Sequence, residues 1–266
     1  MNLIIDEENC IGCGLCESVC IRENIKVDDI CIELDSGLCF NCCHCMAVCP
    51  KDAIIVKKYE NQLDKVQNYN QSNIPVSTTD LLDLFKQRRS IRWFKDKKID
   101  KETLNKLFEV AYYSPSAENK QDVEFVVIED EERLNSFMEL VYDIIKVKEK
   151  EFFRIQRLGE YLKNPDDFDY HPLLWSGKQL ILGFATIPTN AVIAATRIEV
   201  LAYTMGLGGF YSLWMLMADE IDHDKLMKFF PEVPSDKHLA STFVIGYPKV
   251  RYRKTLPHDE IKITYI

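Results

Sequence analysis

The chain has 266 residues, of which 47% are hydrophobic and 28% are charged, as in ordinary globular proteins. All ten cysteines lie between Cys10 and Cys49. A secreted protein stabilised by disulfides would spread its cysteines over the fold, so that class is excluded. Because no apolar run approaches about 18 residues and no signal peptide is visible, we expect a cytoplasmic protein with no membrane contact.

The net charge of −9 is concentrated at the N-terminus. Residues 1–56 carry ten acidic and three basic side chains, a net charge of −7. Nucleic-acid binding requires a basic surface, so no nucleic-acid partner is expected. The acidic surface would suit docking to a basic partner such as a one-electron donor protein, and a merely solvated surface explains it as well.

Residues 1–56 are predicted to form a small domain of short strands and cysteine-rich loops. Their apolar runs are brief, at residues 3–5, 30–34 and 53–56. Such a core is too small to stabilise a domain by burial alone. Residues 57–79 are polar and interrupted by Pro75, which predicts a linker before a larger domain over residues 80–266.

The larger part mixes helix and strand signals, which predicts an α+β fold. Thr79 or Asp80 is predicted to cap a first helix, and Asp100 to cap a second. The pattern then predicts a strand at 123–128, a helix from 131 to about 155, a loop at 164–176, a helix at 191–205 and a strand at 242–247.

The cysteines contain an internal repeat with the spacing C-x2-C-x2-C-x3-C. Two-residue spacers turn three successive thiolates towards one centre, and the fourth is directed at the other centre. Two [4Fe–4S] clusters with crossed ligands are therefore predicted. The first is assigned Cys10, Cys13, Cys16 and Cys49. The second is assigned Cys39, Cys42, Cys45 and Cys20.

Zinc and disulfides are the alternatives at these cysteines. Zinc sites do not usually have this spacing, and cytoplasmic thiols stay reduced. Residues 1–56 resemble a bacterial two-cluster ferredoxin, with Ile21 where such domains often have proline. Cys31 and Cys43 are left over, and a buried apolar role is expected for them rather than ligation.

Two basic runs in the cysteine-free part suit a phosphate group. Residues 88–92 read Arg-Arg-Ser-Ile-Arg, and residues 251–254 read Arg-Tyr-Arg-Lys. Guanidinium groups bind phosphate oxygens with charge-assisted hydrogen bonds. A solvated basic patch would explain either run alone, and together they predict a phosphate site. Neither the G-x-G-x-x-G nor the G-x-x-x-x-G-K nucleotide motif is present.

Four motifs, taken in order, make residues 80–266 resemble the nitroreductase family of FMN enzymes. They are RRSIR at 88–92, SPSAENKQ at 114–121, MGLGG at 205–209 and GYPKVRYRK at 246–254. The resemblance implies a central, mostly antiparallel sheet flanked by helices, and a homodimer with FMN at the subunit interface. It implies FMN contacts from Arg88, Arg89, Ser90, Arg92, Ser114, Pro115, Ser116, Asn119, Leu207, Gly208, Gly209, Arg251 and Arg253.

In that family the first and last motifs hold the phosphate, the second lies against the isoalloxazine ring, and the glycine turn brings backbone close to it. The resemblance weakens after Gln121 and Gly209, at positions that shape the substrate pocket. No catalytic side chain is implied, because the flavin performs the redox chemistry. The five histidines are scattered along the chain, and no catalytic role is assigned to them.

These features predict an iron–sulfur flavoenzyme that passes electrons from its clusters to FMN and on to a small electron-poor acceptor. Nitroaromatics, quinones and activated alkenes are candidate acceptors. One alternative is an electron-transfer adaptor that relays electrons to a protein partner. Another is a cluster-bearing sensor or binding module with an empty second domain. The aromatic loop at 164–176 is a candidate lid, with packing as the other explanation.

Overall fold

The computed structural model describes residues 1–68 and 75–266. The chain divides into two compact units. The first comprises Met1–Pro75 together with Ser116–Lys120, and the second comprises Val76–Pro115 and Gln121–Ile266. Residues 69–74 of the predicted linker lie outside the described residues, and its first part contains a 3-10 helix at Lys57–Lys65. The domain boundaries at 56 and 79 stay predictions.

The first unit contains two small antiparallel sheets and two short helices. Strand β1 (Leu3–Ile5) pairs with β4 (Ile54–Val56), and β2 (Ile25–Val27) pairs with β3 (Cys31–Glu33). Helix α1 spans Leu15–Ser18 and α2 spans His44–Val48. The core they enclose is small, and three of its seven buried members are cysteines: Leu3, Cys16, Ile25, Cys31, Cys45, Ile54 and Val56.

The second unit contains a four-stranded antiparallel sheet. Its strands are β5 (Glu124–Ile128), β6 (Gln179–Ala185), β7 (Gly208–Tyr211) and β8 (His238–Gly246), in the order β5-β6-β8-β7. The helices of this unit are α3 (Thr78–Gln87), α4 (Lys101–Tyr112), α5 (Glu131–Ile145), α6 (Phe153–Lys163), α7 (Pro188–Thr204), α8 (Trp214–Ile221) and α9 (His223–Met227). None of the described helices has the length and apolar character that crossing a bilayer requires.

Helices cover both faces of this sheet. Every residue of β6 is buried, and successive side chains point to opposite faces. Leu180 and Leu182 join a core cluster that includes Phe137 of α5, whereas Ile181 joins a second cluster with Ile198 of α7. The predicted antiparallel sheet flanked by helices is therefore confirmed.

The helix boundaries were predicted with mixed success. Asp100 caps α4 as predicted, because its carboxylate accepts a hydrogen bond of 2.8 Å from the backbone N–H of Thr103. The first helix is capped by Ser77 rather than by Thr79 or Asp80, and Ser77 Oγ accepts from the N–H of Asp80 at 3.1 Å.

The single helix from 131 to about 155 was a wrong prediction. Helix α5 ends at Ile145, and α6 begins at Phe153. The intervening residues 146–151 read Lys-Val-Lys-Glu-Lys-Glu and offer only one apolar side chain to a core. A helix without an apolar face gains little from packing, so the chain turns there instead.

Asp122 joins the edge of the sheet to the start of α7. Its carboxylate accepts hydrogen bonds from the N–H groups of Thr186 and Ile187, from the Thr186 hydroxyl and from the Asn190 amide. Desolvation acts to raise the pKa of Asp122, but the hydrogen bonds outweigh it and lower the pKa to about 2. The ionised carboxylate is therefore the form that stabilises this corner.

Asp122→Ala is expected to lower the free energy of unfolding of the second unit by about 2 kcal/mol, because four donors lose a charged acceptor. A carboxylate with a lowered pKa contributes fully to the free energy of unfolding above about pH 4. That contribution is lost as the pH falls towards 2. Urea denaturation followed by tryptophan fluorescence measures this, since Trp93, Trp175 and Trp214 all lie in the second unit. Equal midpoints for the variant and the wild type at pH 7 would contradict the assignment.

Candidate cofactor-binding sites

The first predicted cysteine quartet lines one cavity of the first unit. Cys10, Cys13, Cys16 and Cys49 all line it, and it contains about 330 Å³ of empty space, part of which is open to solvent. Gly12 and Gly14 shape the loop, with φ of +60° and +75° in the left-handed region. A Cβ on Gly12 would lie 2.6 Å from the carbonyl oxygen of Asp29, so only glycine fits there.

The second predicted quartet lines another cavity of the same unit. Cys20, Cys39, Cys42 and Cys45 line a space of about 410 Å³, part of which is open to solvent. The fourth cysteine of each run thus lies with the first three of the other run. This is the arrangement that crossed ligation requires.

Backbone donors point at several of these sulfur atoms. The N–H groups of Asn24 and Ala53 lie 3.3 Å from Sγ of Cys20 and Cys49, and the N–H of Asn41 lies 3.4 Å from Sγ of Cys39. Hydrogen bonds of this kind stabilise thiolate sulfur and tune iron–sulfur clusters. The residues present therefore fit two sulfur-ligated clusters.

The cysteines outside the quartets lie close to them. Cys31 is buried beside the thiol of Cys16, and burial raises its pKa. Cys43 lines the second cavity, where desolvation raises its pKa to about 11. Cys31 is therefore buried as predicted, whereas Cys43 is only half-buried and its thiol lies 3.7 Å from the carbonyl oxygen of Asn41.

The two basic runs of the second unit meet at one groove. Arg89, Leu207 and Arg251 line it, and it contains about 1360 Å³ of empty space open to solvent. The guanidinium of Arg89 lies 5.8 Å from the ring centre of Tyr252. Arg253 lines an adjoining groove together with Arg251. Three of the predicted phosphate-binding arginines thus share one region, and their role remains a prediction.

Arg88 and Arg92 have other partners. Arg88 forms an ion pair of 3.0 Å with Glu199, whose side chain is only 14% exposed. Burial raises the pKa of Glu199, and the neighbouring Arg88 opposes that rise. The guanidinium of Arg92 lies 5.4 Å from the ring centre of Phe210 and 5.9 Å from that of Trp175. Ser90, between them in sequence, is half-buried.

The second predicted flavin motif is divided between the two units. Ser114 and Pro115 belong to the second unit, whereas Ser116 and Asn119 belong to the first. Ser114 Oγ lies 3.4 Å from the carbonyl oxygen of Val110. The amide of Asn119 donates to the carbonyl oxygens of Phe40 and Asn41 at 3.2 and 3.0 Å. This contact with the loop of the second quartet was not predicted from the sequence.

The glycine motif has a clear packing role. Gly208 and Gly209 lie in β7, where a Cβ on Gly208 would be 2.6 Å from Ile91 Cγ1. A Cβ on Gly209 would be 2.3 Å from the carbonyl oxygen of Val244. Glycine is therefore required by the protein's own close packing, and the predicted approach to a flavin ring stays a separate prediction.

The aromatic loop is held by mutual stacking. Tyr170 and Trp175 stack with ring centres 4.7 Å apart, and Trp93 lies edge-on to both. His171 Nδ1 accepts from the N–H groups of Leu173 and Leu174 at 3.1 Å. Burial lowers the pKa of His171 to about 4, so the ring is neutral at pH 7. These contacts are those of aromatic residues that pack within the loop, which is the packing role given as the alternative to a lid.

Comparison with known proteins agrees with the division of the chain into a cysteine-rich part and a larger second part. Residues 85–247 match the Nitroreductase family, and residues 3–26 match the 4Fe-4S binding domain. A relative from Methanothermobacter thermautotrophicus, named NADH dehydrogenase/NAD(P)H nitroreductase, is 34% identical over 175 residues, which cover 65% of this chain and 80% of the relative.

Two solved structures have the same fold as the second part of the chain. A nitroreductase with bound FMN from Bacteroides fragilis has a TM-score of 0.57 at 16% identity, and covers 71% of this chain and 100% of its own. A nitroreductase with bound FMN from Desulfitobacterium hafniense has a TM-score of 0.54 at 16% identity, with coverage of 70% and 97%.

Proposed function

The chain belongs to the nitroreductase family, and from that premise we propose that it is an iron–sulfur flavoenzyme with two [4Fe–4S] clusters and FMN. It passes electrons to a small electron-poor acceptor such as a nitroaromatic, a quinone or an activated alkene. The observation that carries the proposal is the pair of cysteine-lined cavities in a chain that also has a nitroreductase-family unit with a basic groove. Ten cysteines that form no disulfide among the described residues support a reducing cytoplasmic location.

The chain's own residues bind and orient the two kinds of cofactor. When bound, the clusters supply single electrons and FMN exchanges one or two. Four thiolates in each cavity hold one cluster, and backbone N–H groups stabilise the sulfur charge. Arg89 and Arg251 hold the FMN phosphate in the groove, and Arg253 adds positive charge beside it. The FMN found in the two solved nitroreductases supports this choice of flavin.

A relay role is the second candidate, and the acidic N-terminal part favours it. Residues 1–56 carry a net charge of −7, which suits a basic partner protein. In that case the protein would hold both cofactors and pass electrons to the partner without turning over a small acceptor.

Anaerobic purification of the full chain tests these proposals. We expect about eight iron and eight acid-labile sulfide per chain, together with FMN released on denaturation. Reduced viologen and NADH would then be compared as donors with a nitroaromatic, a quinone and an enone as acceptors. Steady turnover supports the enzyme, whereas full cofactor content without turnover supports the relay. Protein without acid-labile sulfide and with zinc bound by the cysteines would refute the clusters.

We also propose that the protein is a homodimer with FMN at the subunit interface, and that α3 contributes to that interface. No residue within this helix is buried, and Leu81, Leu82 and Phe85 are 43%, 52% and 50% exposed. An isolated ten-residue helix is marginal in water, so this apolar face needs a partner surface.

Phe85→Glu is expected to weaken the dimer at least about 10-fold, because it places a charge in an apolar contact. Light scattering after gel filtration measures the change. Val147→Glu is the matched control, since Val147 is 68% exposed in the 3-10 helix Lys146–Lys148 elsewhere in the same unit. A dimer unaffected by Phe85→Glu would remove α3 from the interface.

A further inference from the structure

Two histidines and one aspartate that are distant in sequence come together in the second unit. Asp219 lies in α8, His223 is the first residue of α9 and His238 is the first residue of β8. One ligand atom from each residue lies within 4.8 Å of the others. None of the three lines the basic groove or the cysteine cavities.

The donor atoms of this group converge on the Asp219 carboxylate. Nδ1 of His223 lies 2.8 Å from Oδ1, and Nδ1 of His238 lies 3.1 Å from Oδ2. The two imidazole rings have centres 4.3 Å apart and are inclined by 34°. In a tetrahedral zinc site, bonds of about 2.0–2.2 Å separate ligand atoms by about 3.3 Å. The two distances to the Asp219 carboxylate are about 0.5 and 0.2 Å shorter than that value, and one ligand atom of each residue lies within 4.8 Å of the others.

The hydrogen bond on the far side of His223 selects the atom that faces Asp219. Nε2 lies 2.9 Å from the carbonyl oxygen of Ser235, which can only accept, so Nε2 carries a proton. In that tautomer Nδ1 faces the Asp219 carboxylate, and either a proton or a metal cation can lie between the two atoms. A backbone carbonyl that fixes the tautomer of a histidine is the usual support of a metal-binding imidazole.

Burial and charge also suit a cation. Asp219 is buried, with a side-chain exposure of 6%, whereas His223 is 22% and His238 is 50% exposed. The site is therefore anchored in the protein and open to solvent on one side. Glu220, Asp222 and Asp224 add negative charge to the same segment. The nearby Lys225 directs its ammonium to Asp143 and does not neutralise the group.

We propose that Asp219, His223 and His238 form a binding site for a divalent first-row transition-metal ion, one per chain. Two imidazoles and one carboxylate are a ligand set that suits zinc, iron and nickel and leaves a position for water or a further ligand. Such an ion would join α8 and α9 to the start of β8. The site is separate from the proposed flavin and cluster chemistry and does not depend on it.

Zinc titration of the full-length, tag-free protein tests the proposal. After treatment with EDTA and with iron and sulfide content checked, calorimetry should detect one Zn²⁺ per chain. His238→Asn and, separately, His223→Asn should weaken binding at least about 10-fold, because each removes one of three ligands. His238 is half exposed, so its replacement should leave the fold intact, which thermal melting verifies. His258→Asn, in the exposed C-terminal segment, is the control and should bind as the wild type does.

Zinc K-edge absorption spectroscopy identifies the ligands independently of affinity. We expect nitrogen and oxygen neighbours with imidazole scattering and no sulfur. Sulfur ligation would overturn the proposal, because the zinc would then be on cysteines. Binding weaker than about 100 μM, or equal binding by the wild type and both histidine variants, would overturn it as well.

Discussion

A chain in which Cys20 and Cys45 are both replaced by alanine is expected to keep one intact cluster, with about four iron and four sulfide in place of about eight of each. Both residues line the same cavity, although they come from different runs of the repeat. The double replacement removes two ligands from one cluster and none from the other. Iron and sulfide analysis and the spectrum of the reduced cluster measure the outcome.

The pair Cys16→Ala and Cys20→Ala is the matched comparison. These two cysteines belong to one run of the sequence but face different cavities. With crossed ligands, this variant leaves three thiolates in each cavity and no cluster with its full ligand set. Ligation within each run predicts the reverse: one intact cluster in this variant and two incomplete clusters in the Cys20 and Cys45 variant. The two variants together therefore decide the ligand assignment.

Cys43→Ala tests whether the assignment of surplus cysteines is right. Cys43 lines the second cavity but lies outside both quartets, so its replacement should leave iron and sulfide at wild-type levels. A loss of about four iron would mean that Cys43 rather than a neighbouring cysteine is a ligand.

The grouping of the cysteines around two cavities agrees with the sequence repeat, and their role as cluster ligands stays a prediction. Two-residue spacers determine which sulfur atoms face one cavity, and the internal repeat indicates that the fourth sulfur faces the other. The cap at Asp100 was predicted because its geometry is local, and the hydrogen bond reaches only to Thr103. Fold class followed from the alternation of such local signals along the chain.

Strand β6 was not predicted, because its sequence has no distinguishing period. Gln179–Ala185 is buried on both faces, so it reads as a continuous apolar run, which a buried helix would also give. Its neighbour β8 begins at His238, four residues before the predicted strand, and the polar Ser241 in that added part is buried by the sheet. Tertiary burial of this kind leaves no periodic signal in the sequence.

The contacts of Asn119, Arg88 and Asp219 could not be inferred because their partners are distant in the chain. Asn119 donates to carbonyl groups 78 and 79 residues away, and Arg88 pairs with Glu199, 111 residues away. The i,i+4 spacing of Asp219 and His223 was the one local sign of the histidine group, and His238 joins it only through the position of β8. The residue type indicates which groups such a side chain can bind, whereas the fold determines which residues lie within reach of it.

Arg89→Gln is expected to weaken FMN binding about 10- to 100-fold, because a charge-assisted hydrogen bond contributes about 1.5–3 kcal/mol. Arg89 lines the basic groove, and its guanidinium has no carboxylate partner within 4 Å among the ion pairs of the described residues. Arg89 is therefore better placed than Arg88 to bind a phosphate group. Fluorescence titration of flavin-depleted protein measures the affinity, and excess FMN should restore turnover.

Riboflavin distinguishes a phosphate contact from a general effect on the groove. Riboflavin lacks the phosphate, so Arg89→Gln should change its affinity little while weakening FMN binding strongly. Arg157→Gln is the control, since Arg157 pairs with Glu160 at 3.2 Å on α6 and does not line the groove. If Arg89→Gln weakens riboflavin and FMN equally, Arg89 shapes the groove without holding the phosphate. The positive charge would then have to come from Arg251 or Arg253, and the same pair of titrations on Arg251→Gln and Arg253→Gln would locate it.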